Sequence, residues 1–164
     1  MKRNKNMLIM VCGAPGSGKS TLAKKIKTYL ERNGVRLVLH RETDEYFVDP
    51  ITKEYHFDPS KLGEYHRLCQ KSVAIDLLEG RDCILTNTNL RQWERKPYLD
   101  AVRDADAWLT IIRLTSQYGN VHNVPEEKVK EMVERWEPFT TDELLGIDHV
   151  TILSEKEINR LVNS

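Results

Sequence analysis

The chain of 164 residues has no apolar run approaching the roughly 20 residues that a membrane-spanning helix needs, which excludes such a span. Cysteine is scarce. Cys12, Cys69 and Cys83 cannot all pair, and each lies in a segment expected to be buried, which suits reduced thiols acting as small core residues. These cysteines and the five histidines are too scattered for metal-ligand spacing. Net charge is also absent, because 25 Lys and Arg balance 25 Asp and Glu, so no global field draws the chain to nucleic acid. Internal repeats and low-complexity linkers are lacking too, and a hydrophobic fraction of 40% excludes disorder along the whole length.

The zero net charge hides an asymmetry. Residues 1–36 carry nine basic side chains (Lys2, Arg3, Lys5, Lys19, Lys24, Lys25, Lys27, Arg32 and Arg36) against the single acid Glu31. Such an end suits an anionic ligand, and solvated surface lysines would give the same count. Met1 to Asn6 followed by Met7 to Cys12 superficially matches a secretory leader. The apolar part is too short, and it runs into a glycine loop, so no leader is expected. One domain over residues 1–164 in a reducing, cytoplasmic setting is the corresponding expectation.

Periodicity predicts alternating strands and helices. Met7 to Cys12 is apolar throughout, as in a strand covered on both faces. After Lys19 the period changes, with Leu22, Ile26, Tyr29 and Leu30 on one helical stripe and Gly34 as a stop. Strands are predicted at Arg36 to His40, Asp82 to Thr86, Trp108 to Leu114 and His149 to Leu153. Helices are predicted from the Asp58-Pro59 start to about Glu79, over Gln92 to Arg103, from Pro125 to about Trp136, and after the Ser154/Glu157 capping box. The third of these should bury one stripe through Val129, Met132, Val133 and Trp136. The alternation predicts an α/β fold, a parallel sheet covered by helices on both faces.

The most specific motif is Gly13-Ala14-Pro15-Gly16-Ser17-Gly18-Lys19-Ser20, a full match to G-x-x-x-x-G-K-[ST] between a predicted strand and helix. Glycines let successive backbone N–H groups converge on phosphate oxygens, and the helix N-terminus adds positive potential. ATP is the expected ligand, held by residues 13–20 and Thr21. Lys19 reaches the β- and γ-phosphates, and the Ser20 hydroxyl is the expected Mg²⁺ ligand. Asp44, just after the second predicted strand, stands where an open parallel sheet presents groups to its ligand. It reads equally as a general base or as a turn and capping residue.

Four further segments carry a resemblance: Thr43-Asp44-Glu45-Tyr46-Phe47, Tyr55-His56-Phe57-Asp58-Pro59, Thr86-Asn87-Thr88-Asn89-Leu90, and Val124-Pro125 opening a helix. From Leu8 to about Thr140 the chain resembles the polynucleotide-kinase-like P-loop kinases. The resemblance implies a three-layer α/β P-loop NTPase fold, a doubly wound sheet of about five parallel strands with helices on both faces. It also implies transfer of the ATP γ-phosphoryl group to a hydroxyl, with Asp44 as the base that accepts the hydroxyl proton and Lys19 on the phosphates. It implies a nucleic-acid acceptor, DNA favoured, at a 5′-terminal hydroxyl or at the hydroxymethyl group of 5-hydroxymethyluracil. Tyr46, Phe47, Thr88, Asn89 and Arg91 are the expected acceptor-binding residues; Tyr46, Phe47, Tyr55 and Phe57 read equally as stacking on a base or as packing under the loop between Asp44 and Asp58. Asn89 reads equally well as an Asx turn or a helix cap.

The chain departs from the family in three places. Phage members carry aspartate at the position of Asn87 and arginine at that of Phe47. Relatives also show Arg-Asn before a Gly-Val-Pro, where this chain has Gly119-Asn120-Val121-His122-Asn123-Val124-Pro125. Arg91, Arg95 and Arg113 are the candidates to replace that arginine. No phosphatase motif follows the core, so end repair by one bifunctional chain is not expected. A nucleoside or small-metabolite kinase, and a nucleotide-gated binding protein with little transferase activity, remain alternatives. No obligate protein partner is evident.

Overall fold

A computed structural model describes residues 5–35, 37–119 and 123–164. The expectations that touch Lys2, Arg3, Arg36 and residues 120–122 lie outside the described residues.

Five strands form one sheet: β1 (Met7–Cys12), β2 (Val38–Arg41), β3 (Asp82–Leu85), β4 (Trp108–Arg113) and β5 (Val150–Leu153). Their order is β2-β3-β1-β4-β5, and every pairing is parallel. Among the described residues six helices connect or cover them: α1 (Lys19–Arg32), α2 (Leu62–Leu78), α3 (Gln92–Asp104), α4 (Glu126–Glu134), α5 (Thr141–Leu144) and α6 (Glu155–Val162). Thr43–Phe47 and Pro59–Lys61 form short 3₁₀ turns, the second begun by the Asp58 carboxylate, which accepts from Ser60 N at 2.9 Å.

The run Met7–Cys12 divides its side chains between two cores. Leu8, Met10 and Cys12 pack with Cys69, Val73 and Leu77 of α2 and with Tyr98, Leu99 and Val102 of α3. Ile9 and Val11 pack with Leu22, Ala23 and Ile26 of α1 and with Ile158 of α6. Each fully buried aliphatic side chain contributes about 1.5–3 kcal/mol relative to exposure. This is the parallel, covered sheet that the periodicity predicts and the doubly wound form that the resemblance implies. The α4 stripe is weaker than predicted: Val129, Met132 and Trp136 are half-buried, but Val133 is 47% exposed. Among the described residues no helix is long and apolar enough to cross a membrane.

Register aligns the strand ends. Cys12 lies beside Arg113, and Arg41 beside Leu85, so the loops beginning at Gly13, Glu42, Thr86 and Leu114 leave one edge of the sheet together. Backbone bonds join them there: Gly13 N donates to Thr88 O at 3.1 Å, Thr86 N to Arg41 O at 3.1 Å, and Leu114 N to Cys12 O at 2.8 Å.

Candidate active site

The phosphate loop spans the turn from β1 into α1. Gly18 caps α1 at φ 89°, a left-handed conformation that glycine adopts without Cβ strain. Gly16, at φ 80°, has the Gly119 carbonyl oxygen where a Cβ would stand. That contact belongs to the stretch after β4, which lies along the loop: Tyr118 N donates to Gly16 O at 2.8 Å and Gln117 Nε2 to Pro15 O at 3.3 Å. Ala14 and Ser17 are buried, while Thr21 is exposed on the first turn of α1.

Lys19 Nζ donates to the loop's own carbonyls, Gly13 O at 2.8 Å and Ala14 O at 3.0 Å. Burial disfavours its ammonium form and lowers its pKa to about 8, against the opposing pull of the carboxylates of Asp44 and Glu42. Both acids therefore act on the lysine, Asp44 from the turn that follows β2. Tyr55 donates its phenolic hydrogen to Asp44 Oδ1 at 3.5 Å, and burial together with the Asp44 charge pushes the phenol up to about 12.

Asn87 holds that turn. Its Oδ1 accepts from Thr43 N at 2.8 Å, and its Nδ2 donates to Tyr98 OH at 2.9 Å, linking the Asp44 turn to α3. An aspartate here could not donate to Tyr98 while ionised. Thr88 gives its carbonyl to the phosphate loop. Asn89 is buried at φ 48°, and its Nδ2 has no partner among the described residues. The next backbone donors, Leu90 N and Arg91 N, are accepted by Glu94 Oε2 at 2.6 and 3.1 Å, which starts α3.

Of the two readings open for the aromatics, packing under the loop is the one that Phe47 follows. Phe47, expected among the acceptor-binding residues, is 4% exposed and packed among Tyr55, Phe57 and Tyr65, with ring centroids 6.1, 5.1 and 4.8 Å away. Those neighbours cover the ring, so it builds the loop core. Tyr46 turns toward α2, with its ring 5.7 Å from that of Tyr65 and its hydroxyl 3.0 Å from Ser72 Oγ. Of the three candidate arginines, Arg95 is fully buried. Its Nε and Nη2 donate to Glu143 at 2.8 and 3.1 Å, and its guanidinium lies 3.9 Å over the Phe139 ring. It is committed to the core. Arg91 is half-buried at the start of α3. Arg113 is exposed at the end of β4, beside the phosphate loop, and rests over the Trp136 ring at 4.3 Å.

Sequence reasoning missed Glu42. Its Oε2 accepts from Ser20 Oγ at 2.9 Å and from Thr86 Oγ1 at 2.8 Å, joining α1, β2 and β3 at the strand ends. A carboxylate two residues before Asp44, at a strand's carboxyl end, was the available signal.

A family model described as an AAA domain matches residues 8–117, two thirds of the chain. The chain belongs to the AAA domain family. Human NEDD4-binding protein 2 is 34% identical over 146 residues, covering 82% of this chain; the chain spans 8% of that relative's length. Chaetomium thermophilum Kti12, solved in complex with ADP-AlF3, superposes with a TM-score of 0.60 at 13% identity over 95% of each chain. A fungal RNA kinase gives 0.54 at 15% identity, over 98% of this chain and 43% of its own. The AAA domain of this chain thus has the kinase-like P-loop fold, with its motif at the usual turn between the first strand and helix.

Proposed function

We propose that the chain is an ATP-dependent kinase that transfers the γ-phosphoryl group to a hydroxyl of a nucleic acid, either a 5′ end or a hydroxymethyl pyrimidine within DNA. The observation that supports this reading is the bond of the phosphate-loop Ser20 to Glu42 at 2.9 Å, which ties the loop to the end of β2, two residues before the base candidate Asp44. The acceptor oxygen bonds to the γ-phosphorus as the bond from that phosphorus to ADP breaks. Asp44 takes the hydroxyl proton, and Lys19 leaves the loop carbonyls for the phosphate oxygens. Ser20 would hold Mg²⁺, which supplies charge neutralisation when bound; the hydroxyl and carboxylate donors gathered there suit a hard cation. Arg113 is the exposed arginine at this edge suited to stabilising transferring charge. The likeness to an RNA kinase supports a polynucleotide acceptor, as does the resemblance of the segments around Asp44 and Asn87.

A small-metabolite acceptor is the second reading, favoured by the covered ring of Phe47, which removes one base-stacking surface. A panel decides between them. ATP labelled at the γ-position is offered 5′-hydroxyl DNA and RNA, end-blocked DNA with internal 5-hydroxymethyluracil, free nucleosides and simple sugars. Label on a polynucleotide is expected. Label confined to a nucleoside or sugar moves the assignment to the second reading. Label on none, with ATP still bound, makes the chain a nucleotide-gated binder.

A further inference from the structure

The Ser20–Glu42 contact has a proton direction. A serine hydroxyl owns one hydrogen, and a carboxylate only accepts, so Ser20 gives that hydrogen to Glu42 Oε2. The serine lone pairs are then left for another partner. Thr86 spends its hydrogen on the same carboxylate oxygen and must accept from His40, whose Nε2 lies 2.6 Å away. His40 thus donates to Thr86 and Thr86 to Glu42, which also accepts from Ser20, so both directed contacts end on the Glu42 carboxylate, with the histidine protonated on Nε2.

Apart from its longer-range pull on Lys19, the charge of Glu42 has little to balance it among the described residues. Among the described residues no Lys or Arg forms an ion pair with it, and His40 Nε2 is 3.7 Å from the carboxylate. Its side chain retains 23% exposure. A neutral side chain would tie the two hydroxyls together equally well, so a clip alone does not explain a carboxylate.

Resting on the kinase reading above, we propose that Glu42 is the positioning carboxylate of the Mg²⁺ site. It draws the Ser20 proton away from the cation so that the serine oxygen presents its lone pairs, and it supplies negative charge to the metal surroundings. The proximity of Glu42 to triphosphate would repel the nucleotide in the absence of metal, which makes binding depend on Mg²⁺.

The test compares wild-type, Glu42→Gln and Glu42→Asp chains by calorimetric titration with ATP in EDTA and over a Mg²⁺ series. Circular dichroism melts check folding. Glutamine keeps an oxygen that accepts from Ser20 and Thr86 but removes the charge. Loss of such an outer partner is expected to raise the Mg²⁺ concentration for half-maximal ATP binding by about tenfold, with affinity in EDTA unchanged or tighter. Aspartate keeps the charge, retracts it by one methylene, and should give a smaller shift of the same sign. That variant carries the test if the glutamine chain does not fold. A Mg²⁺ dependence within about twofold of wild type overturns the assignment, as does equal weakening with and without metal. No acceptor is involved. Absence of phosphoryl transfer alongside the Mg²⁺ shift would overturn the kinase reading and leave Glu42 assigned.

Discussion

At the residue scale, polar side chains at the strand ends divide their work between holding the loops and facing the crevice. Asn87 uses both ends of its amide to fix the turn that carries Asp44, so its role is positional. Cys12, Cys69 and Cys83 are free and buried, as their places in apolar segments led us to expect. Burial pushes the Cys12 and Cys83 thiols up to about 12 from an ordinary 9.0, and raises Cys69 as well. The folded chain therefore keeps these protons where the unfolded chain releases them, and stability falls as pH rises from about 9 toward 12. A chromogenic disulfide reagent at pH 8 should find no reactive thiol in the native chain and all three after denaturation. Fast labelling of any native thiol would contradict this burial. The phosphate loop was legible in sequence because its chemistry is local. Glu42 was not, because its partners Ser20 and Thr86 are 22 and 44 residues away and only the parallel register brings them together.

At the scale of elements, the central strand was legible because a strand buried on both faces is an uninterrupted apolar run, as in Met7–Cys12. Helix ends were legible where capping chemistry marks them: the Ser154 hydroxyl accepts from Glu157 N at 3.2 Å, and the Glu157 carboxylate returns to Ser154 N at 2.7 Å. Helix α5 escaped notice because its four residues, Thr-Asp-Glu-Leu, are too few for a period. Its only signal is the Thr140/Glu143 capping box. Yet α5 supplies Glu143, which anchors the buried Arg95 of α3 and joins two elements across 48 residues. Replacing Glu143 with alanine leaves that guanidinium buried without its carboxylate. The expected loss is about 3–5 kcal/mol of unfolding free energy, read by urea titration. A loss below about 1 kcal/mol would mean that the rings of Trp136 and Phe139 suffice to hold the arginine.

For the whole molecule, one edge of the sheet gathers what the chemistry needs. The crossover order brings β3 between β1 and β2, so the phosphate loop, the Asp44 turn and the Thr86–Leu90 loop become neighbours although far apart in the chain. The acceptor surface was the least legible part. Aromatic residues after β2 read alike whether they stack on a ligand or on one another, and the mutual packing of Phe47, Tyr55, Phe57 and Tyr65 is a property of the folded loop. The central claim is that Asp44 serves as base to a phosphate-bound nucleotide. Its most direct test is the rate of γ-phosphoryl transfer by Asp44→Asn, measured beside ATP affinity on the same preparation. Transfer is expected to fall by about 10²–10⁴ with ATP affinity nearly unchanged, and transfer within about tenfold of wild type would contradict the account.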